Sequence, residues 1–86
     1  MIQRQWPEWG NWELRISTHV VLRMELREFT ESDLRAMLED ATALVPDVEP
    51  GRWAAKTTWQ GAPWEVIVEP EPETKRLVVV TAFRVE

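Results

Sequence analysis

The chain has 86 residues, no cysteine, one histidine and a net charge of −5. That length makes one domain, burying only roughly 60% of the surface its unfolded form exposes. The lack of cysteine excludes disulfides and thiolate metal sites, and one histidine would leave a zinc ion with carboxylates for its remaining ligands. Stability then rests on apolar packing, to which the six tryptophans bring large buried area. No apolar run approaches the ~20 residues of a membrane span. The first residues lack the apolar core and cleavage site of a signal peptide. The expectation is a cytoplasmic domain with no membrane association, no metal and no cofactor.

The charge is unevenly spread. Residues 1–30 hold four Lys/Arg and four Asp/Glu, and residues 52–86 hold five of each. Residues 31–51 hold one Arg against six acids, so the whole excess of −5 sits there. A site more than a Debye length away, about 8 Å at physiological salt, is screened from it. Local cationic patches elsewhere are therefore compatible with the acidic total.

In chain order, residues 1–11 carry Trp6 and Trp9, broken by Pro7 and Gly10, which argues against a helix. The reading is an irregular arm, with Trp12 at its end. Its indoles either cover an open end of the core or offer a stacking surface. Residues 12–86 form the domain proper. Trp12–Ile16 alternates apolar and polar, as a half-buried strand does. Ser17 or Thr18 can cap a helix over His19–Phe29, a stretch of good helix formers without Gly or Pro. Thr30, with Asp33 three residues on, starts a second helix by a capping box. Leu34, Met37, Leu38, Ala41 and Val45 follow its inner face, so the helix is expected to run over 31–45 until Pro46 stops it. Asp47–Gly51 is a loop.

The last third alternates as strands. Trp53, Ala55, Thr57 and Trp59 share one side of the first, and Gln60-Gly61-Ala62 suggests a hairpin. Trp64, Val66 and Val68 share one side of the next, Pro70–Lys75 is a charged turn region, and Leu77–Val85 is apolar on both faces for most of its length, as a central strand is, with Thr81 and Arg84 its polar exceptions. The predicted fold is α+β: a strand, two helices, then a three-stranded antiparallel meander, with the helices packed on one face of the sheet.

Side chains four residues apart share a helix face, and His19, Arg23 and Arg27 keep that spacing. Arg presents a fork of donors that matches phosphate oxygens, and an imidazole can exchange a proton near neutral pH. Metal-free RNA cleavage needs those parts: a group to take the 2′-OH proton, and cations to stabilise the phosphorane. Thr81 and Arg84, on the last strand, would complete such a site if helix face and strand end converge. Arg52 and Lys56 lie on the strand face opposite Trp53 and Trp59, where they can contact backbone phosphates or only water. Trp53, Trp59 and Trp64 either fill the core or stack on unpaired bases. The plain alternative for the triplet is a solvated face with Glu25 and Glu28 pairing the arginines.

The run Thr18-His19, Arg23-Met24, Arg27, then Thr30-Glu31-Ser32-Asp33-Leu34, resembles the T-x-H-x-x-x-R-M-x-x-R opening of a family of small bacterial domains of unknown function. That family is allied to the RelE and BrnT toxins. Gly51-Arg52-Trp53, Gly61 through Pro70, and Leu77 through Phe83 are similar to its sheet portion, so the resemblance spans about residues 14–85. It implies a strand–helix–helix–three-strand fold of the barnase–EndoU–colicin–RelE group and metal-independent endoribonuclease activity. It also points to His19, Arg23 and Arg27, with Thr81 second, as the site. Many relatives carry Gly where this chain has Glu28, a carboxylate that can pair with Arg23 or Arg27.

Two functions follow as expectations. One is a toxin-like endoribonuclease acting on RNA, with Arg52, Lys56 and Arg84 as RNA contacts and an antitoxin or immunity protein as inhibitor. The other is a non-catalytic module of the same fold, binding a basic partner through the acidic helix 31–45.

Overall fold

Alternation over Glu13–Ile16 produces the first strand, β1, in the computed structural model, which describes residues 7–26 and 29–85. A single 3-10 turn, Glu8–Asn11, precedes it, so that part of the expected irregular arm is helical. Trp9 and Trp12 pack against the core from this turn, and the Trp9 ring lies 5.9 Å from that of Trp53. Trp6 lies outside the described residues.

Helix α1 spans Thr18–Glu25, and Ser17 caps it by accepting from the Val20 amide at 3.3 Å. Helix α2 spans Glu31–Glu39. The Thr30 hydroxyl accepts from the Asp33 amide at 3.1 Å, and the Asp33 carboxylate accepts from the Thr30 amide at 2.8 Å, a complete capping box.

The expectation that this helix continues to Val45 is corrected. It stops at Glu39, and Ala43–Pro46 form a second strand, β2. Leu34, Met37, Leu38 and Ala41 are buried as the helical stripe requires. Beyond Ala41, however, the Thr42 amide donates to the Lys56 carbonyl at 2.9 Å, and sheet pairing takes over from the helical ladder. Pro46 ends this short edge strand, a place where a missing amide costs no ladder bond.

Three longer strands follow: β3 over Trp53–Trp59, β4 over Ala62–Glu71 and β5 over Arg76–Arg84. β3 and β4 are joined by Gln60 and Gly61, both at positive φ (51° and 75°), as a two-residue hairpin of the right twist requires. The strands β3 to β5 form the antiparallel meander expected, but the sheet does not end with them: β1 and the unforeseen β2 join its two edges. It is a five-stranded mixed sheet in the order β1-β5-β4-β3-β2. β1 pairs in parallel with β5, Leu14 opposite Leu77 and Ile16 opposite Val79. Such pairing needs a long crossover, and the two helices lie within it.

Both helices lie on one face of the sheet. Val20, Phe29, Leu34, Met37 and Leu38 pack there against Ala55, Trp64, Val66, Val68, Leu77, Val79 and Ala82. On β5 the pairing slips by one residue: Val68 pairs Val79, but Ile67 pairs Thr81, leaving Val80 as a bulge. Straight alternation from Leu77 and Val79 would place Thr81 and Phe83 under the helices. The extra residue inverts the remainder of the strand, so Ala82 and Arg84 face the helices instead.

Candidate nucleic-acid interface

Ser17 anchors the start of α1 to the bulge. Its amide donates to the Val79 carbonyl at 3.1 Å and its hydroxyl to the Val80 carbonyl at 2.9 Å. From this fixed start Val20 points wholly into the core and Met24 packs against it, which turns His19 outward and Arg23 sideways along β5. His19 is exposed.

Arg23 is partly buried. Its guanidinium donates to the Ala82 carbonyl and sits 5.5 Å from the centre of the Phe29 ring. A cation over an aromatic face is held by the ring quadrupole, and a charged donor on a carbonyl makes a strong hydrogen bond. This guanidinium is therefore fixed in place. Phe29 in turn meets Trp59 and Trp64 edge-on, at 6.4 and 5.9 Å, and those two indoles meet each other at 5.2 Å. Trp64 is buried, whereas Trp59, beside the hairpin, is half-buried.

Arg84 pairs with Trp64 across the sheet and so shares the helix-side face. It stands two residues beyond Ala82, roughly 7 Å along the strand, and is exposed. One end of the molecule thus gathers Arg23, Arg84, Phe29 and Trp59, with His19 one helical turn away from Arg23. The sequence singled out both arginines but gave no sign of what holds Arg23, because Phe29 and the Ala82 carbonyl are distant in the chain.

The other residues picked from the sequence divide differently. Thr81, inverted by the bulge, pairs with Ile67 on the sheet face away from His19 and Arg23, so helix face and strand end do not converge on it. Arg52 and Lys56 also belong to that far face, each beside a glutamate: Arg52 to Glu69 at 2.9 Å and Lys56 to Glu65 at 4.0 Å. The hydrogen bond and charge of Glu69 raise the Arg52 guanidinium above its ordinary value. Arg27 and Glu28 lie outside the described residues.

A recess of about 430 Å³ opens elsewhere, between the first turn and α2. Trp12, Leu14 and Leu38 line it together with exposed Asn11, Arg35 and Glu39. It is not part of the α1 face. Among the described residues no group of three or more His, Asp or Glu stands close enough to hold a metal ion. No helix there is long and apolar enough to cross a membrane.

No family model, curated protein or solved structure matches the chain.

Proposed function

We propose that the chain is a toxin-like endoribonuclease, in the RelE-like manner that the sequence resemblance implies, and that it works from the α1 face. One observation carries the reading: Arg23, held on Ala82 and Phe29, shares a face with Arg84, while His19 stands exposed one turn earlier in α1. Two fixed or nearby guanidiniums suit a phosphodiester, and the half-buried Trp59 offers an unpaired base a ring to stack on.

In the proposed reaction the 2′ oxygen attacks the adjacent phosphorus. Its proton passes to the His19 imidazole, the P–O5′ bond breaks, and the leaving oxygen takes a proton from the imidazolium or from water. The products are a 2′,3′-cyclic phosphate and a free 5′-hydroxyl. Arg23 and Arg84 stabilise the charge on the phosphorane, where positioned donors act most strongly. Of the acid excess of residues 31–51, Glu31 and Asp33 open α2 just after Phe29, whereas Glu39, Asp40, Asp47 and Glu49 come at the end of α2 and after β2. An antitoxin or immunity protein would act by covering the α1 face.

The test is incubation of the purified protein with total RNA in the presence of a chelator. Wild type is expected to leave cyclic-phosphate ends, and His19→Ala to cut about 100- to 10,000-fold more slowly. Equal cutting by the two proteins, or no cutting by inhibitor-free wild type, contradicts the reading.

A second reading is supported by exposed Glu39 and Asp40 at the end of α2, where no basic residue occupies the last turn. A basic partner would be drawn to that carboxylate-rich helix end. Charge reversal at both positions should then release the partner from pull-downs, and its retention would exclude this mode.

A further inference from the structure

The sheet face turned away from the helices carries a pattern of its own. Val45, Ala54 and Ile67 stand in register across three strands as an apolar band, which Thr81 continues on β5. Ala54 and Ile67 are only 4% and 6% exposed, although neither belongs to the helix-side core. The next row is Ala43, Lys56, Glu65 and Phe83. On the other side of the band stands the Arg52–Glu69 pair. The β3 column is therefore cationic at both ends and the neighbouring β4 column anionic at both ends. Val45 and Phe83, at the two flanks, remain 37% and 38% exposed.

We propose that this face docks a second copy of the chain, sheet against sheet, about a two-fold axis that runs along the strands between β3 and β4. That rotation exchanges the two columns and leaves each position along the strands unchanged. Lys56 of one copy meets Glu65 of the other, and Arg52 meets Glu69. Ala54 and Ile67 lie on the axis but are already almost covered and add little, while at the flanks the exposed Phe83 meets Ala43 and the exposed Val45 meets Thr81. An isologous interface has to be complementary to itself in this way. A uniformly basic partner would be repelled by Arg52 and Lys56, and an acidic one or a nucleic acid by Glu65 and Glu69. Stacked sheets lie about 10 Å apart with strands some 30° from aligned, so the pairs nearest the axis, Lys56 with Glu65 and Arg52 with Glu69, keep the closest match. The dimer leaves both α1 faces outward and does not depend on what they do.

Sedimentation equilibrium over about 1 µM to 1 mM chain, the range for a modest interface, should show the mass rising from one chain towards two. The double variant Val45→Lys, Phe83→Lys should stay monomeric throughout with the wild-type circular dichroism spectrum. A second measurement holds even where that variant fails to fold. Carbodiimide coupling of a mixture of ¹⁴N- and ¹⁵N-labelled wild type should yield Lys56–Glu65 cross-links that join one light and one heavy peptide. A wild-type chain monomeric over the whole range, a folded double variant that still dimerises, or a dimer without mixed-isotope Lys56–Glu65 cross-links overturns the proposal.

Discussion

Arg23 joins three parts of the molecule: it leaves α1, bonds the Ala82 carbonyl on β5 and covers the Phe29 ring between the helices. A hydrogen bond from a charged group contributes about 1.5–3 kcal/mol, and a cation over an aromatic ring adds to it. Arg23→Met keeps most of the aliphatic stem and removes the guanidinium. It should lower stability by about 2 kcal/mol in urea titrations; an unchanged midpoint would show the contacts to be inert. His19, by contrast, is exposed, so His19→Ala should leave the same midpoint nearly unmoved while slowing cleavage about 100- to 10,000-fold. The two residues share a spacing of four that is plain in the sequence. Their different environments are not, because those depend on a carbonyl 59 residues away. Arg52 and Lys56 illustrate the same limit. Alternation placed them correctly opposite Trp53 and Trp59, but the glutamates beside them belong to the neighbouring strand.

Elements whose physics is local are legible in the sequence. The capping box of α2 is written in Thr30 and Asp33, and the hairpin in Gln60 and Gly61. Thr30→Ala should therefore cost about 1 kcal/mol, read as a lowered urea midpoint, since it removes the hydroxyl that accepts from the Asp33 amide and leaves only the backbone half of the box. A Thr30→Ser control, which keeps the hydroxyl, should lie close to wild type. Two other features were hidden for identifiable reasons. The stripe from Leu34 to Val45 fits a helix, yet its last third is a strand, because pairing with β3 outweighs a weak local preference once Lys56 is near. The bulge at Val80 is a matter of register between β4 and β5. No residue type announces it, and it alone decides that Arg84 rather than Thr81 shares the face of Arg23. The parallel seating of β1 beside β5, which makes β5 an inner strand of the sheet, is likewise a long-range choice.

At the scale of the whole molecule, the helices sit on one face of a five-stranded sheet and divide the surface into two regions of different character. The helix side ends in the guanidiniums of Arg23 and Arg84 with the half-buried Trp59 near them. The open side alternates cationic and anionic columns around an apolar band. An RNA strand should discriminate between them, because the alternating side holds a carboxylate beside each cation. The central claim is that phosphates are met by the α1 face, and amide chemical-shift mapping tests it directly. ¹⁵N-labelled protein at one fixed concentration is titrated with an RNA oligonucleotide in which 2′-deoxy sugars remove the nucleophile and prevent cleavage. The account predicts shifts concentrated at the amides of residues 18–24 and 82–85 and weakened by salt. Shifts confined to residues 54–58 and 65–69, or none at all, would contradict it.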